Sequence, residues 1–356
     1  MSIKLLVLPG DGIGPEIIAA TLTVLRRADT LFGLGLTFES RDIGFATLKT
    51  EGTTMPASVI QAVRESDGVI LGPVSHMDYP PSAQGGVNPS GILRTTFELY
   101  ANIRPAKSRE GMTILREPMD LVIVRENTEG FYADRNMHVG IGEFMPTPDM
   151  ALAVRKITAH ACRRVARTAF NLARARRKKV TAVHKQNVLR ISDKLFMDQV
   201  RAVAADYPDV ELDDMLVDAA TAHLIRTPSR FDVIVTTNMF GDILSDEASE
   251  LAGSLGLGAS LNAGDDRAVA QAQHGSAPDI AGQDRANPTA LLHSTAMLLR
   301  WLGGRRSDGN ALLAAADAME TAVEGAIATP AERTADLGGK LGTQAFAGAV
   351  AARLAG

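Results

Sequence analysis

The sequence predicts an α/β protein of two domains built around a mixed or parallel sheet. Short apolar runs alternate along the chain with longer stretches of helical periodicity, which is the pattern of α/β folds. The length of 356 residues corresponds to two domains of about 150 residues each. An apolar content of 46% with 22% charged residues is typical of a soluble globular protein with a sizeable core.

The predicted elements follow in chain order. The first apolar run, at 4–8, is predicted to form a buried strand, and Pro15 suits the first position of the helix that follows. Further buried strands are predicted at 68–71, 120–124, 180–183 and 231–236. Helical patterns lie at 58–64, 93–99, 157–177 and 195–205, with another from Asp242. Residues 72–92 are predicted to form a loop, and the glycine-rich stretch 252–264 a break.

Composition argues against nucleic-acid and membrane partners. The formal net charge is −4, and a basic run closes a predicted helix, where cations offset the helix dipole. That run is Arg174, Arg176, Arg177, Lys178 and Lys179. No segment approaches a membrane span, and the apolar run at 3–8 is too short for a signal peptide, so we expect a cytoplasmic protein. A single cysteine, Cys162, excludes an internal disulfide and is expected to be a buried thiol.

The most informative stretch is 231–246. An apolar strand is followed there by the turn residues Asn238 and Gly241, and then by a helical pattern. Asp242 and Asp246 are four residues apart, so on a helix their carboxylates share one face. Such oxygen ligands suit a hard cation such as Mg²⁺. The alternative is a negatively charged first turn that favours the helix dipole, and the pair alone does not decide between them.

Four cationic residues are further candidates for a site. Arg94, Arg104 and Arg125 precede the midpoint of the chain, and guanidinium groups bind carboxylates in a bidentate manner. Any one of these arginines, taken alone, is more often part of a surface ion pair. Lys185 directly follows an apolar strand; near other cations its pKa would be depressed and it could act as a base. Its alternative is an ordinary lysine at a strand end.

Together these segments make the chain resemble the metal- and nicotinamide-dependent β-decarboxylating dehydrogenases, the isocitrate/isopropylmalate dehydrogenase family. The resemblance runs from Leu8-Pro-Gly-Asp-Gly-Ile-Gly-Pro-Glu16 to Arg333-Thr-Ala-Asp-Leu-Gly-Gly339. It implies an isopropylmalate-dehydrogenase-like two-domain fold with a mixed sheet and a non-Rossmann cofactor site. We expect a large cofactor-binding domain of residues 1–99 plus 255–356. A small domain of residues 100–254 would carry the substrate, metal and dimer contacts.

The resemblance assigns roles to the candidate residues. The three arginines match those that bind malate carboxylates in relatives, so the substrate carries two or more carboxylates. Lys185 matches the lysine that helps to remove the hydroxyl proton, and Tyr132 matches the tyrosine that protonates the enol left after decarboxylation. Asp218, which is also expected to take part in catalysis, matches the third aspartate of a Mg²⁺ or Mn²⁺ site with Asp242 and Asp246. Relatives supply this aspartate and the lysine across the subunit boundary, which implies a homodimer with shared active sites.

The cofactor is also assigned by resemblance, because the chain contains no dinucleotide fingerprint: Pro15 stands where its third glycine is expected. The matching cofactor-binding residues are His274, Gly275, Ser276, Ala277, Asp279, Ile280 and Asn287. Asp279 and Ile280 are typical of NAD-preferring members, since a carboxylate near the ribose repels a 2′-phosphate. Gln271-Ala272-Gln273 replaces the Glu-Pro-Val of most relatives.

Substrate choice is predicted from the segment before Arg94. Asn88 and Ser90 suit a polar substituent on the malate, whereas isopropylmalate dehydrogenases place leucines at Ser90 and Gly91. We therefore expect isocitrate or a small malate (D-malate, tartrate) ahead of homoisocitrate. 3-Isopropylmalate is the alternative, because Val87 and Ile92 can line an apolar wall. A catalytically inactive regulatory subunit is a further alternative, and the presence of every matching catalytic residue argues against it.

Overall fold

A computed structural model describes residues 2–132 and 137–354; the predicted domain limits at residues 1 and 356 lie outside this part. The chain forms two compact units. The first comprises Met1–Leu93, Gly256–Leu261 and Asp266–Gly356, and the second comprises Arg94–Leu255 and Asn262–Asp265. The functional roles expected for two domains remain predictions.

The elements of the described residues are named here in chain order. The strands are β1 (Ile3–Leu8), β2 (Leu36–Ser40), β3 (Gly68–Leu71), β4 (Ala101–Lys107), β5 (Asp120–Glu126), β6 (Glu143–Thr147), β7 (Met150–Ala153), β8 (Lys179–His184), β9 (Glu211–Leu216), β10 (Val233–Thr236), β11 (Ala259–Ala263) and β12 (Ala268–Ala272). The helices are α1 (Gly14–Phe32), α2 (Phe45–Glu51), α3 (Ala57–Arg64), α4 (Pro89–Thr96), α5 (Ala159–Arg174), α6 (Ser192–Ala204), α7 (Val217–Arg226), α8 (Asn238–Ala252), α9 (Thr289–Gly303), α10 (Asn310–Ala328) and α11 (Thr343–Arg353).

The first unit contains strands in the order β2-β1-β3-β12-β11. β1 is parallel to both β2 and β3, and β12 is parallel to β3. Helix α1 packs against α11, and α9 packs against α10 and β12. Ile17 and Leu25, which give α1 its apolar periodicity, are fully buried, so the period of 3.6 residues directs that face into the core.

The second unit has a mixed sheet in the order β4-β5-β10-β8-β9. β4 is antiparallel to β5, and the remaining neighbours are parallel. The predicted α/β class with a mixed sheet is confirmed. Because the carboxyl ends of parallel strands meet at one edge of a sheet, the residues that follow β5, β8 and β10 lie near one another. These residues are Asn127, Lys185 and Thr237.

Local predictions are wrong at three places. Helix α4 begins at Pro89, inside the predicted loop 72–92, and ends at Thr96. Asn238 and Gly241 do not form a turn but lie in the first turn of α8. A Cβ on Gly241 would lie 2.6 Å from the Cβ of Arg125, so the glycine permits close packing of the helix on β5. The glycine-rich break at 252–264 contains a fully buried strand, β11. The two polar side chains of this strand are hydrogen-bonded, Ser260 to the carbonyl oxygen of Gln271 and Asn262 to Asn102.

The cysteine is buried as expected, but most of the basic run lies beyond the helix that it was predicted to close, because α5 ends at Arg174 and Lys179 begins β8. Arg176 donates hydrogen bonds to the carboxylates of Asp120 and Asp232, at 2.7 and 2.8 Å, so it joins the starts of β5 and β10. Cys162 is buried within α5, and burial raises the pKa of its thiol to about 12. Within the part of the chain that the structure describes, no helix is both long enough and apolar enough to cross a bilayer.

Candidate active site

Arg125 is the centre of a polar cluster at the carboxyl end of β5. Only 2% of its side chain is exposed. Its Nε and Nη2 both donate to Oδ1 of Asn238, at 2.9 and 2.7 Å, and its Nη1 contacts the carboxylate of Asp242. Burial without partners would cost an arginine several kcal/mol. The bonds to the first turn of α8 therefore hold the guanidinium against the helix that carries the paired aspartates.

Arg104, on β4, approaches the same helix from the neighbouring strand. Its Nη1 donates to Ser245 at 2.7 Å and lies 3.2 Å from Asp246 and 3.4 Å from Asp242. Its Nε donates to Oδ1 of Asn102 at 2.5 Å. Burial, together with repulsion by the nearby Arg125, lowers the pKa of Arg104 to about 10. The residue remains a cation at neutral pH.

The paired carboxylates on α8 differ in their electrostatics. Burial opposes ionisation of Asp242, but the guanidinium groups of Arg125 and Arg104 outweigh it and hold its pKa below the ordinary value. Burial raises the pKa of Asp246 despite the charge of Arg104. The helix begins at Asn238, so neither aspartate lies in the first turn. The interpretation as a charge favouring the helix dipole is therefore wrong, because that effect fades within one turn.

Tyr132 links the arginines to the carboxylates. Its hydroxyl accepts a hydrogen bond from Nη2 of Arg125 at 2.8 Å and donates to Oδ2 of Asp242 at 2.6 Å. The positive charge of Arg94, the third predicted arginine, also lowers the pKa of Asp242. The structure thus brings together six of the predicted residues, and we call them the arginine–aspartate cluster: Arg94, Arg104, Arg125, Tyr132, Asp242 and Asp246.

Lys185 and Asp218 form a separate pair in the same unit. The lysine follows β8, the aspartate lies in the first turn of α7, and Nζ is 2.6 Å from Oδ1. The hydrogen bond from the lysine lowers the pKa of Asp218. Across residues 2–132 and 137–354, no three acidic, histidine or cysteine side chains form a group able to hold a metal. Asp218 therefore does not complete such a group with Asp242 and Asp246 within this chain.

The donor set of the arginine–aspartate cluster fits a hard divalent cation. Asp242 and Asp246 share one helix face, and their side chains are 37% and 55% exposed, so oxygens of both remain accessible. Mg²⁺ is commonly held by one or two carboxylates, with water and substrate oxygens completing its shell. Two carboxylates in one chain are sufficient for such a site.

The segment predicted to bind the cofactor follows β12 in the first unit. Burial lowers the pKa of His274, and its Nε2 has no hydrogen-bond partner among the described residues. Ser276 is buried against the hydroxyl of Ser75, at 2.6 Å. A Cβ on Gly12 would lie 2.0 Å from the carbonyl oxygen of Ser276. A neutral imidazole with an unused nitrogen beside a glycine-lined backbone fits a polar ligand such as a nucleotide.

The other predicted cofactor residues lie along the same segment. Gly275 has open space where a side chain would be, and Ala277 adopts a φ of +36°, an unusual backbone conformation for a non-glycine residue. Asp279 is exposed and Ile280 is half-buried. Asn287 is buried and donates to Asp336 at 2.9 Å, which fixes its side chain.

Comparison with known proteins decides the family. The model of the isocitrate/isopropylmalate dehydrogenase family matches residues 4–350. The chain belongs to this family. The protein is thus a dehydrogenase of the group that oxidises and decarboxylates hydroxy acids.

Similar proteins cover the chain almost completely. The 3-isopropylmalate dehydrogenase of Methanothermobacter thermautotrophicus is 41% identical over 99% of both chains. The enzyme of the same name from Archaeoglobus fulgidus is 42% identical over 99% of both. Among solved structures, isocitrate dehydrogenase from Methylococcus capsulatus is similar with a TM-score of 0.86, 38% identity and 99% coverage of both chains. These likenesses bear out the mixed α/β fold.

The two polar residues proposed for substrate binding have partners within the protein. Oδ1 of Asn88 accepts the backbone N–H of Gly91 at 3.1 Å, which caps α4. The hydroxyl of Ser90 accepts a hydrogen bond from Nε2 of Gln271 at 2.8 Å, and both residues are buried. Gln271 belongs to the unusual Gln-Ala-Gln segment of this dehydrogenase. Its amide supports the start of α4, which the sequence did not predict.

Sequence reasoning missed a chain of buried asparagines behind Arg104. Asn102 donates to Oδ1 of Asn262 at 2.6 Å, and Asn127 donates to the same oxygen at 3.0 Å. Asn102 alternates along β4 with Arg104, so the period of two places both on one face of the strand. The two-residue spacing of Asn102 and Arg104 on a strand was the feature of the sequence that could have identified Asn102. The ring of His223 lies outside the arginine–aspartate cluster and contacts Thr227 and Arg230 at 2.9 and 3.3 Å.

Proposed function

We propose that this dehydrogenase oxidises and decarboxylates a 3-substituted malate with NAD⁺ and Mg²⁺ or Mn²⁺. The observation that carries the proposal is the arginine–aspartate cluster. It holds one more positive than negative side chain, and a divalent cation makes the surplus larger. A substrate with two or three carboxylates neutralises that surplus, and planar guanidinium groups recognise carboxylates in the required geometry.

Side chains of the arginine–aspartate cluster bind and orient this substrate. Arg104 and Arg125 hold its carboxylates, and the hydrogen bonds of Arg125 to Asn238 keep one guanidinium from rotating. Asp242 and Asp246 hold the cation. When bound, the cation supplies Lewis acidity at the substrate hydroxyl, and NAD⁺ supplies the hydride acceptor.

Proton transfer involves two groups. The Lys185–Asp218 pair, whose Nζ and Oδ1 lie 2.6 Å apart, takes up the proton that leaves the substrate hydroxyl, because the carboxylate can accept a proton from the lysine. Tyr132 donates its phenolic proton to the carbon that loses CO₂. Its hydroxyl donates a hydrogen bond to Asp242 and accepts a hydrogen bond from Arg125. The direction of its O–H bond is therefore set before the substrate binds.

We further propose that the enzyme is a homodimer with shared sites. Among the described residues, Asp218 does not complete a three-ligand group with the carboxylates of α8, so a second copy would supply it together with its partner Lys185. The separate sheet of β6 and β7 suits the contact between copies. Its residues are all exposed, yet they include large apolar side chains, namely Phe144, Met145, Met150 and Leu152. Apolar surface of this kind marks an interface.

The order of substrates predicted from the sequence needs revision. Relatives that are 41% and 42% identical are named 3-isopropylmalate dehydrogenases. In addition, Ser90 and Asn88, the two predicted polar contacts, bond to Gln271 and Gly91. We therefore place 3-isopropylmalate first. Isocitrate stays the second candidate, because the similar structure from Methylococcus capsulatus is an isocitrate dehydrogenase.

Steady-state kinetics test the function directly. NADH formation should be measured with 3-isopropylmalate, isocitrate, homoisocitrate, D-malate and tartrate in the presence of Mg²⁺ or Mn²⁺. We expect 3-isopropylmalate to have the highest kcat/KM. A hundredfold preference for isocitrate would reverse the order of the two candidates. No NADH from any of the five would favour an inactive regulatory subunit instead.

The cofactor preference provides a second prediction. NAD⁺ should exceed NADP⁺ by at least about tenfold in kcat/KM, about 1.4 kcal/mol, because Asp279 would repel the 2′-phosphate. Asp279→Lys should move the ratio toward NADP⁺. Asp266→Lys is a charge-matched control: Asp266 is also exposed, but it precedes β12 whereas the cofactor segment follows it. An equal shift in both variants would show only a general charge effect.

The substrate segment provides a third prediction. The double variant Ser90→Leu, Gly91→Leu should raise the kcat/KM ratio of 3-isopropylmalate to isocitrate by about tenfold or more, since each buried methylene contributes about 0.8 kcal/mol. Gln271→Leu is the control, because it removes the hydrogen bond to Ser90 without adding the leucines. If this control changes the ratio as much, the lost hydrogen bond and not the apolar cover is responsible.

A further inference from the structure

Two buried charged residues of the second unit, Arg155 and Asp193, have no part in the chemistry described above. Arg155 lies between β7 and α5, and Asp193 lies in the first turn of α6. The carboxylate is completely buried, the arginine side chain is 8% exposed, and Nη1 is 2.5 Å from Oδ1. Removing two charges from water is costly, so a pair this buried is weak evidence of stabilisation for its own sake.

The second oxygen of Asp193 holds the backbone of the catalytic lysine. Oδ2 accepts the N–H of Lys185 at 2.6 Å. Lys185 is the first residue beyond β8, where the strand's own hydrogen-bond ladder ends at His184. Its carbonyl oxygen accepts the N–H groups of Val188 and Leu189, at 3.0 and 2.8 Å. The tight turn that presents the lysine is therefore anchored by one buried carboxylate.

Arg155 extends this anchor to the helix of the paired aspartates. Its Nη2 donates to the hydroxyl of Thr237 at 2.9 Å, and Thr237 is the residue at which α8 is capped. Its guanidinium also lies 5.5 Å from the ring centre of Phe240 and 5.9 Å from that of Phe131. A single guanidinium thus contacts the segments that carry the catalytic tyrosine and the carboxylate pair, and it is linked through Asp193 to the segment of the catalytic lysine.

We propose that Asp193 and Arg155 are positioning residues for the reaction. Asp193 sets the backbone from which Lys185 reaches the substrate, and Arg155 locks that turn to the start of α8. The inference rests on the proposed function, which gives the lysine its role. Neither residue belongs to the arginine–aspartate cluster, so each acts through the placement of others. A displacement of about 1 Å in a reacting group can lower a rate by about a hundredfold.

Variants at Asp193 test the proposal. Asp193→Ala should lower kcat by about a hundredfold and change KM by less than about threefold, because substrate binding depends on the arginines. Asp193→Asn keeps an oxygen that can accept the Lys185 N–H, so its kcat should be at least about tenfold higher than that of Asp193→Ala. Amide hydrogen exchange in the peptide 184–190 should quicken in the alanine variant. Asp198→Ala, on the exposed face of the same helix, is the control and should change none of these quantities.

Several outcomes would overturn the proposal. One is a folded Asp193→Ala protein with kcat within threefold of the parent; another is equal loss in the alanine and asparagine variants. If Asp193→Ala does not fold, the charge-free pair Arg155→Met, Asp193→Asn decides the matter. It must lower kcat at least tenfold with KM retained, or the proposal is wrong. If the parent protein oxidises no malate, the proposed function fails, and unchanged exchange at 184–190 would then separately refute the anchor.

Discussion

Asp242→Asn should lower kcat/KM for the preferred malate by about a thousandfold, about 4 kcal/mol of transition-state stabilisation. Asparagine keeps the shape of the side chain but removes the charge that a divalent cation requires. It also leaves Arg125, which is 2% exposed, without its anionic partner, although Asn238 still accepts two of its hydrogen bonds. We therefore expect the circular dichroism spectrum to be retained while binding of Mn²⁺, measured by calorimetry, weakens.

Glu250→Gln is the matched control for this result. Glu250 lies on the same helix and is exposed, so the substitution removes one negative charge from α8 outside the cluster. It should leave both kcat/KM and Mn²⁺ binding within about threefold of the parent protein, as is usual for surface changes. Full activity of Asp242→Asn, or of the parent protein in excess chelator, would contradict a metal role for this carboxylate.

The second large effect concerns shared active sites. Lys185→Met and Asp242→Asn homodimers should each be nearly inactive. When the two are refolded together in equal amounts, activity should return to about a quarter of the parent value. Half of the dimers are then mixed, and one of the two sites in each combines an intact lysine from one copy with an intact aspartate from the other. Turnover of 3-isopropylmalate measures the return.

A second mixture distinguishes shared sites from a general rescue. Asp242 and Asp246 lie on one helix of one chain, so mixing Asp242→Asn with Asp246→Asn damages both sites of every mixed dimer. This mixture should remain inactive. Recovery in this control would show that mixing restores activity non-specifically. No recovery in the mixture with Lys185→Met would place the lysine and the aspartates of each site in the same chain.

The local pattern of the chain was sufficient for much of the fold. Short, nearly continuous apolar runs located β1, β3, β5, β8 and β10, because a strand buried on both faces is apolar along most of its length. The local pattern failed at β11, where the flanking glycines suggested a break. It also failed at Asn238 and Gly241, which are common in turns but here begin a helix. Both positions are decided by what packs against them: Asn238 holds Arg125, and Gly241 makes room for it.

The candidate site, like the fold, was predictable from the sequence only in part. Residue types at recognisable spacings, together with the family resemblance, singled out the arginines, the paired aspartates, the lysine and the tyrosine as candidates. The supporting residues were not identifiable in this manner. Asn102, Asn262, Arg155 and Asp193 are ordinary polar residues in sequence, and only their burial and their partners give them a role.

What the sequence by itself determined is the α/β class, the family, and the spacing that puts two carboxylates on one helix face. These depend on local periodicity, which a chain expresses wherever it folds. Only the tertiary structure decided which charges meet. Arg125 reaches Asn238 across 113 residues, and Arg104 reaches Asp246 across 142. The strand order brings these residues together. Buried charges must then find partners, since desolvation makes an unpaired one too costly.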